Sequence, residues 1–175
     1  MAKEPKFELR ENEESIAGFR VRTTGFSREY DFQITNQRIV LVSVVLFGKS
    51  KKEPDTINYA DIESAKNAFH FYTLTGGYAC FALMMKDGTK KVYAVPKTLK
   101  DDLRNTASMI SESAARDARN KHGGVFGNAA KWEKWDQIRK NSANNAYSKG
   151  HRGRRDSIVS LVNQALAIER ETPRA

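Results

Sequence analysis

The spacing of the hydrophobic residues changes once along this 175-residue chain, near Pro96, and no other feature constrains the fold as strongly. Between about residues 15 and 95 the apolar residues form short runs, which alternate with polar residues or end at turn residues. Such runs are typical of β-strands. After Pro96 the apolar residues recur every three or four positions, which is the spacing of one helix face. The sequence therefore predicts a β-rich front part followed by helices.

Seven strands are predicted in the front part, near residues 15–23, 28–35, 38–47, 55–60, 65–75, 77–86 and 89–95. Tyr30, Phe32 and Ile34 alternate with polar residues, as in an antiparallel strand with one buried face. Asp87-Gly88 lies between two apolar runs and predicts a tight hairpin. Short strands at this spacing predict a curved antiparallel sandwich or partly open barrel.

The rear part is predicted to be helical. Thr98 and Asp101 have the spacing of a helix start, and the apolar stripe after them predicts a helix over 98–121 that caps the open end of the strand layer. A hinge at 122–128, a short helix at 129–142, a basic connection over 144–155 and a last helix from Asp156 are predicted next. We thus expect an α+β fold, with a capped β-domain over 1–122 and a basic helical extension over 123–175.

The formal charge of +9 is unevenly distributed, since residues 1–115 carry +2 and residues 116–175 carry +7. A polyanionic partner is therefore expected to meet the tail. The single cysteine, Cys80, lies in an apolar run and is interpreted as a small buried hydrophobe in a reducing compartment. The longest apolar run, about nine residues, is too short for a bilayer helix, and the N-terminus has no secretory pattern. We expect a cytoplasmic protein, with peripheral membrane association left open.

A family resemblance rests on three segments in order. Ile34-Thr35-Asn36-Gln37-Arg38-Ile39 resembles the corner motif of bacterial pleckstrin-homology (PH)-like and GRAM-like domains, and the segments 57–64 and 81–88 resemble their later strands. The resemblance covers about residues 10–120 and implies a seven-stranded curved sheet with a C-terminal helix. Thr35 and Asn36 are expected to bond nearby backbone groups at a tight corner, and Arg38 to pair with Asp61 or Glu63.

The resemblance also implies one candidate binding site, because some PH domains hold phosphoinositide head groups with basic residues near the first two strands. Arginine suits bidentate phosphate binding, and lysine supplies a point charge. The alternative is that these cations are ordinary solvated charges. The candidate phosphate or lipid contacts are Arg20, Arg22, Arg28, Lys49, Lys51 and Lys52.

The tail offers a second cationic candidate between residues 149 and 155, where a flexible basic cluster is suited to tracking a phosphate backbone or an acidic partner. Its candidate contacts are Lys149, His151, Arg152, Arg154 and Arg155. Aromatic and apolar residues at helical spacing are candidate interface anchors, namely Trp132, Trp135 and Leu161. A solvated linker and core packing are the competing interpretations.

Catalysis finds little support in the sequence. The three histidines, His70, His122 and His151, lie far apart, and no nucleophile elbow, phosphate loop or dinucleotide fingerprint occurs. We therefore predict no enzyme activity, no cofactor, no metal and no catalytic residue. The expected function is a binding or adaptor module that docks an anionic or protein partner, with the tail aiding contact or self-assembly. Nucleic-acid binding through the tail and peripheral binding of anionic lipid remain alternatives.

Overall fold

The computed structural model describes residues 7–23, 28–44, 53–68, 78–96 and 128–171. Seven antiparallel strands form one open sheet in the order β4-β3-β2-β1-β7-β6-β5, and a long helix follows at the C-terminus. The class is α+β, as predicted. The strands are β1 Ser15–Thr23, β2 Glu29–Thr35, β3 Arg38–Val44, β4 Asp55–Asn58, β5 Ile62–Asn67, β6 Ala79–Met85 and β7 Lys90–Val95, and the helix α1 is Asn128–Glu171.

The predicted strands agree with the observed ones to within a few residues, except around β4 and β5. β4 ends at Asn58 and is followed by a 3-10 turn over Tyr59–Asp61. β5 begins at Ile62, three residues earlier than predicted, and the predicted part beyond Ala68 lies outside the described residues. The register with β6 shifts between Ile62 and Ser64. This irregularity turns both Ile62 and Ala65 to the core and breaks the alternation that the prediction relied on.

The predicted hairpin at Asp87-Gly88 joins β6 to β7. Gly88 has a φ of +84°, a backbone conformation that glycine adopts without steric cost. Gly88 N–H donates to Met85 O at 3.0 Å, and the Asp87 carboxylate accepts from both N–H and Oγ1 of Thr89. The Asp-Gly prediction is therefore confirmed.

The main core lies on one face of the sheet, which we call the inner face. Phe32, Phe81 and Tyr93 meet there with ring centroids 5.4 to 5.5 Å apart. Alternate residues of β6 point to the outer face, where Cys80 and Ala82 form a smaller apolar cluster with Ala68 and Ala94. The prediction that Cys80 is a buried small hydrophobe is confirmed, and burial raises the pKa of its thiol.

The tail differs from the prediction in that helical backbone extends over Asn128–Glu171. Residues 144–155, predicted as an open connection, are in helical backbone, and helical backbone also precedes Asp156, the predicted start of the last helix. Gly150 and Gly153, together with the polar residues around them, indicated a linker. A glycine in a helix interior costs only about 1 kcal/mol relative to alanine, which tertiary packing can offset.

The chain nevertheless reverses direction within this span, so that α1 consists of two helical segments and not of one straight helix. Lys134 Nζ lies 2.6 Å from Glu171 Oε2, although 37 residues separate them. A straight helix would hold these positions about 55 Å apart. The chain must therefore fold back between them, and arms of equal length place the reversal near Arg152. We call residues 128–152 the N-terminal arm and residues 153–171 the C-terminal arm.

The C-terminal arm belongs to the core of the sheet. Its apolar face is fully or almost fully buried in the same cluster as the strands, through Ile158, Leu161, Val162, Ala165, Leu166 and Ile168. Asn163 fastens the arm to the edge strand β5, since its amide accepts from Ala65 N–H at 2.8 Å and donates to Ala65 O at 3.0 Å. Arg170 donates to Glu63 O at 2.7 Å on the same edge.

The sequence left open what the tail helices pack against, and for the C-terminal arm it is the sheet of the same chain. The predicted capping helix over 98–121 and the predicted boundary at 122–123 lie outside the described residues. On either side of that boundary, however, β-strands and the C-terminal arm share one hydrophobic core. Within the described parts of the chain, no helix is long and apolar enough to cross a membrane.

Candidate functional site

The densest polar network lies at the corner between β2 and β3. Thr35 is fully buried, and its hydroxyl accepts from the N–H groups of Gln37 and Arg38 at 3.1 and 2.9 Å. The same oxygen lies 2.7 Å from Glu13 Oε1 and 2.8 Å from Arg38 O, the two acceptors open to its proton. The buried Tyr59 hydroxyl adds a further bond to this corner by donating to Thr35 O at 2.5 Å. The prediction that Thr35 bonds nearby backbone is confirmed.

Glu13 and Arg38 form a bidentate ion pair at this corner. Arg38 Nε lies 2.8 Å from Glu13 Oε1, and Nη2 lies 2.9 Å from Oε2. The Glu13 side chain has no exposed surface. Burial by itself raises the pKa of Glu13, but hydrogen bonds from Arg38, Arg10 N–H and Thr35 outweigh it and leave the pKa below its ordinary value.

The expected pairing of Arg38 with Asp61 or Glu63 is not observed, because a turn before β1 brings Glu13 closer. Glu13 N–H donates to Arg10 O at 3.0 Å, and Asn12 at the bend has a φ of +56°, which asparagine tolerates. Asn36 accepts from Glu14 N–H at 2.9 Å and donates to Asn12 O at 3.1 Å. The prediction for Asn36 is confirmed.

The first two candidate phosphate contacts, Arg20 and Arg22, lie on the outer face of β1 and are paired with acids of β2. The strand register sets Arg20 opposite Asp31 and Arg22 opposite Glu29. Arg22 Nε lies 2.9 Å from Glu29 Oε1, and Arg20 Nη2 lies 3.4 Å from Asp31 Oδ1. Arg22 also lies over the Tyr78 ring, 5.9 Å from its centroid. These carboxylates occupy the positions that a phosphate would need.

The other four candidates on the sheet divide into two groups. Arg28 is exposed and directly precedes Glu29, the first residue of β2, which is itself paired with Arg22. Lys49, Lys51 and Lys52 lie outside the described residues. Of the three candidates that the structure describes on the sheet, Arg20 and Arg22 therefore lie together on β1.

The tail cations lie along α1 around its reversal. Lys149, His151 and Arg152 are in helical backbone. Arg154 is fully buried and donates to Pro96 O at 3.4 Å. Arg155 is half-buried and bonds Asp156 Oδ1 through Nε and Nη2 at 2.9 and 2.8 Å. Arg154 thus offers no surface to an anionic partner.

The candidate interface anchors are also in α1. Trp132 and Trp135 lie in the N-terminal arm. Leu161 is fully buried within the protein's own core. Because a residue without exposed surface cannot contact a second molecule, Leu161 serves the fold and not an interface.

The lysines beside the β6–β7 turn are not among the candidates predicted from the sequence. Lys86, Lys90 and Lys91 are all exposed, and we call them the hairpin lysines. Across the described ranges no carboxylate is in ion-pair contact with any of the three. The nearest acid in sequence, Asp87, has its carboxylate bonded to Thr89, and these bonds, with a smaller effect from the charge of Lys91, lower its pKa. The Lys-Asp-Gly-Thr-Lys-Lys pattern could have identified this cluster, but it served there only as a turn signal.

Among the residues that the structure describes, no group of three or more His, Cys, Asp or Glu side chains is arranged to hold a metal ion. The described residues thus include an internal polar network at the β2–β3 corner, a set of cross-strand ion pairs, and an exposed cationic hairpin. Comparisons with protein-family models and with curated proteins find no match to this chain.

Proposed function

We propose that this chain is a non-catalytic binding module of the PH-like kind, which docks an acidic surface of a protein partner through the hairpin lysines. The strand order β4-β3-β2-β1-β7-β6-β5 with an amphipathic helix on the inner face supports the PH-like part of the proposal. The Thr35-Asn36-Gln37-Arg38 corner supports it further. The hairpin lysines carry the binding part, because they are exposed cations without a described ion-pair partner.

The internal network at the β2–β3 corner supports a non-catalytic role. Thr35, Glu13 and Arg38 direct their polar atoms at one another and at backbone groups. A general acid or base needs hydrogen-bond reach to a substrate. These groups instead hold the chain before β1 against the turn between β2 and β3, so that they act as a structural clamp.

The ion pairs on β1 and β2 favour a protein partner over a phosphoinositide. A phosphate at Arg20 and Arg22 would have to displace Asp31 and Glu29 from existing contacts. The burial of Arg154 and the pairing of Arg155 with Asp156 weaken the nucleic-acid alternative in the same way. Exposed cations on a hairpin are instead suited to attracting and orienting a partner protein that presents an acidic surface.

The experiment compares three full-length proteins: wild type, a hairpin variant with Lys86, Lys90 and Lys91 changed to Gln, and a control with Arg10, Arg28 and Lys66 changed to Gln. All six residues are exposed, and both variants lose three positive charges. Each protein is immobilised and incubated separately with extract of the cells in which it naturally occurs, with vesicles containing anionic phospholipid, and with a single-stranded oligonucleotide. We expect wild type and the control to capture the same protein, and the hairpin variant to capture at least about tenfold less of it.

Two outcomes would contradict the proposal. Equal capture by the hairpin variant and the control would show that the hairpin lysines are not the contact. Tight binding to vesicles or to the oligonucleotide, with no protein retained, would instead favour the lipid or nucleic-acid alternative. Point substitutions are required because deleting α1 would remove Ile158, Leu161 and Val162 from the core.

A further inference from the structure

The C-terminal arm of α1 has no apolar face left for pairing with another molecule on the surface. Its apolar side chains at positions 158, 161, 162 and 165 are fully buried against the sheet. Self-assembly by simple association of this helix with a second copy is therefore incompatible with the folded protein. The arm can contact a second copy only by leaving its own sheet.

The reversal of α1 provides a hinge about which the C-terminal arm can move away from its own sheet. Lys134 and Glu171 are in contact although 37 positions within α1 separate them, so the chain turns back between these two residues. Gly150 and Gly153 lie beside the midpoint at which equal arms would meet. The described bond between the arms, from Lys134 to Glu171, joins two largely exposed side chains, and an exposed pair of this kind contributes only about 0–1 kcal/mol.

We propose that α1 exchanges between two copies of this chain: the reversal straightens, and each C-terminal arm packs onto the sheet of the other copy. A straight α1 of 44 residues would be about 66 Å long, which is long enough to separate the two sheets. This inference is independent of the proposed function, since it concerns the core and not the hairpin lysines.

A second copy suits the vacated sheet because it supplies the same partners in the same places. Asn163 of one copy would bond Ala65 of the other, and Arg170 would bond Glu63, as both do within one chain. The apolar residues of the arm would refill the same core. Exchange of identical elements needs no new interface, so that its equilibrium depends mainly on the hinge and on protein concentration.

The test measures mass and one distance in the full-length chain. Spin labels are placed at Lys134→Cys and Glu171→Cys in a Cys80→Ala background, and labelled chains are mixed with excess unlabelled chain so that only distances within one chain are measured. The protein is refolded at micromolar and at millimolar concentration and separated by size. We expect a monomer of 19.8 kDa with a short distance, and a dimer in which the distance is about 55 Å.

A hinge variant gives the direction. Insertion of Gly-Ser-Gly-Ser after Gly150 relieves the reversal and should leave the protein monomeric. A dimer whose labels keep the short distance, or the absence of any dimer from wild type after refolding at millimolar concentration, would overturn the inference. So would equal dimerisation of the insertion variant.

Discussion

At the scale of single residues, the ion pair between Glu13 and Arg38 is the interaction on which the β2–β3 corner depends. The Glu13 side chain is fully buried and the Arg38 side chain is 11% exposed. Removing one member of a buried pair leaves an uncompensated charge, which costs far more than the pair contributes. We expect Arg38→Ala to lower the free energy of unfolding by about 3–5 kcal/mol, measured by urea denaturation.

Arg20→Ala is the matched control for this prediction. Arg20 is also a strand arginine with acidic partners, Asp31 and Glu29, but its side chain is 34% exposed. Water and salt screen such a pair, and its loss should cost about 0–1 kcal/mol. Equal destabilisation by the two substitutions would mean that burial does not distinguish the corner from the cross-strand pairs.

Glu13 also predicts a pH dependence of stability. The pKa of Glu13 is lowered in the folded protein, since the hydrogen bonds from Arg38, Arg10 N–H and Thr35 outweigh burial. The folded state therefore binds this proton less readily than the unfolded state does. The stabilisation is present above the ordinary glutamate pKa and is lost as the pH falls through the lower folded value. In Glu13→Gln, the urea midpoint should vary less with pH across this acidic range.

Hydrogen-bond partners at this corner were predictable from the sequence in some cases and not in others. Asn36 bonds Glu14 N–H and Asn12 O, which lie 22 and 24 positions away, whereas the N–H partners of Thr35 lie in the same turn and were therefore predictable. The partner of Arg38 was not, since Glu13 lies 25 positions away and reaches it only through the turn at Asn12. Glu63 lies as many positions after Arg38 as Glu13 lies before it, so distance along the chain could not identify the partner in the folded corner.

At the scale of elements, Asn163 is the main polar attachment between helix and sheet. β5 is an edge strand, so the outer backbone groups of Ala65 have no neighbouring strand to bond. The Asn163 amide instead makes the two bonds to Ala65 that a neighbouring strand would make. We expect Asn163→Ala to lower the free energy of unfolding by about 1–2 kcal/mol. The substitution should also increase self-association, because an unpaired strand edge is a template for pairing. Urea denaturation and light scattering measure the two effects.

Two further variants test whether the effect comes from this pair of bonds. Asn163→Asp keeps the acceptor for Ala65 N–H but loses the donor to Ala65 O, so that it should lie between alanine and wild type. Gln164→Ala changes the adjacent exposed residue, whose amide bonds only Ser160 Oγ, and should remain within about 0.5 kcal/mol of wild type. A loss of stability in Gln164→Ala as large as that in Asn163→Ala would contradict the assignment.

The strands were largely predictable and the helical part was not. Alternation and turn residues placed β1 at its observed bounds and placed the β6–β7 hairpin at Gly88. Amphipathic periodicity, in contrast, cannot say which of several helices fills a core. The residues from Ile158 to Leu166 carried the right stripe, but their packing against the sheet depends on contacts about 100 positions away, such as Asn163 with Ala65.

At the scale of the whole molecule, the distribution of charge along the chain gives a different picture from its distribution in space. The rear third carries +7 of the net +9. Two of its cations, however, are buried or paired, namely Arg154 and Arg155. The nearly neutral front part supplies the exposed hairpin lysines. Composition thus indicated how many positive charges the chain carries, but folding determines which of them a partner can meet.

The shared core also makes a prediction about how the molecule unfolds. The strands and the C-terminal arm bury their apolar side chains in one cluster, so that loss of either exposes the other. Cys80 on β6 and Ser157 on the arm are both buried, which allows a thiol to report on each element. In wild type, and in Ser157→Cys with Cys80→Ala, the rate of thiol labelling in urea should give the same opening free energy and the same dependence on urea. Two independent units would instead give two different values, and labelling of the helical thiol well before that of Cys80 would show that the arm detaches while the sheet remains folded.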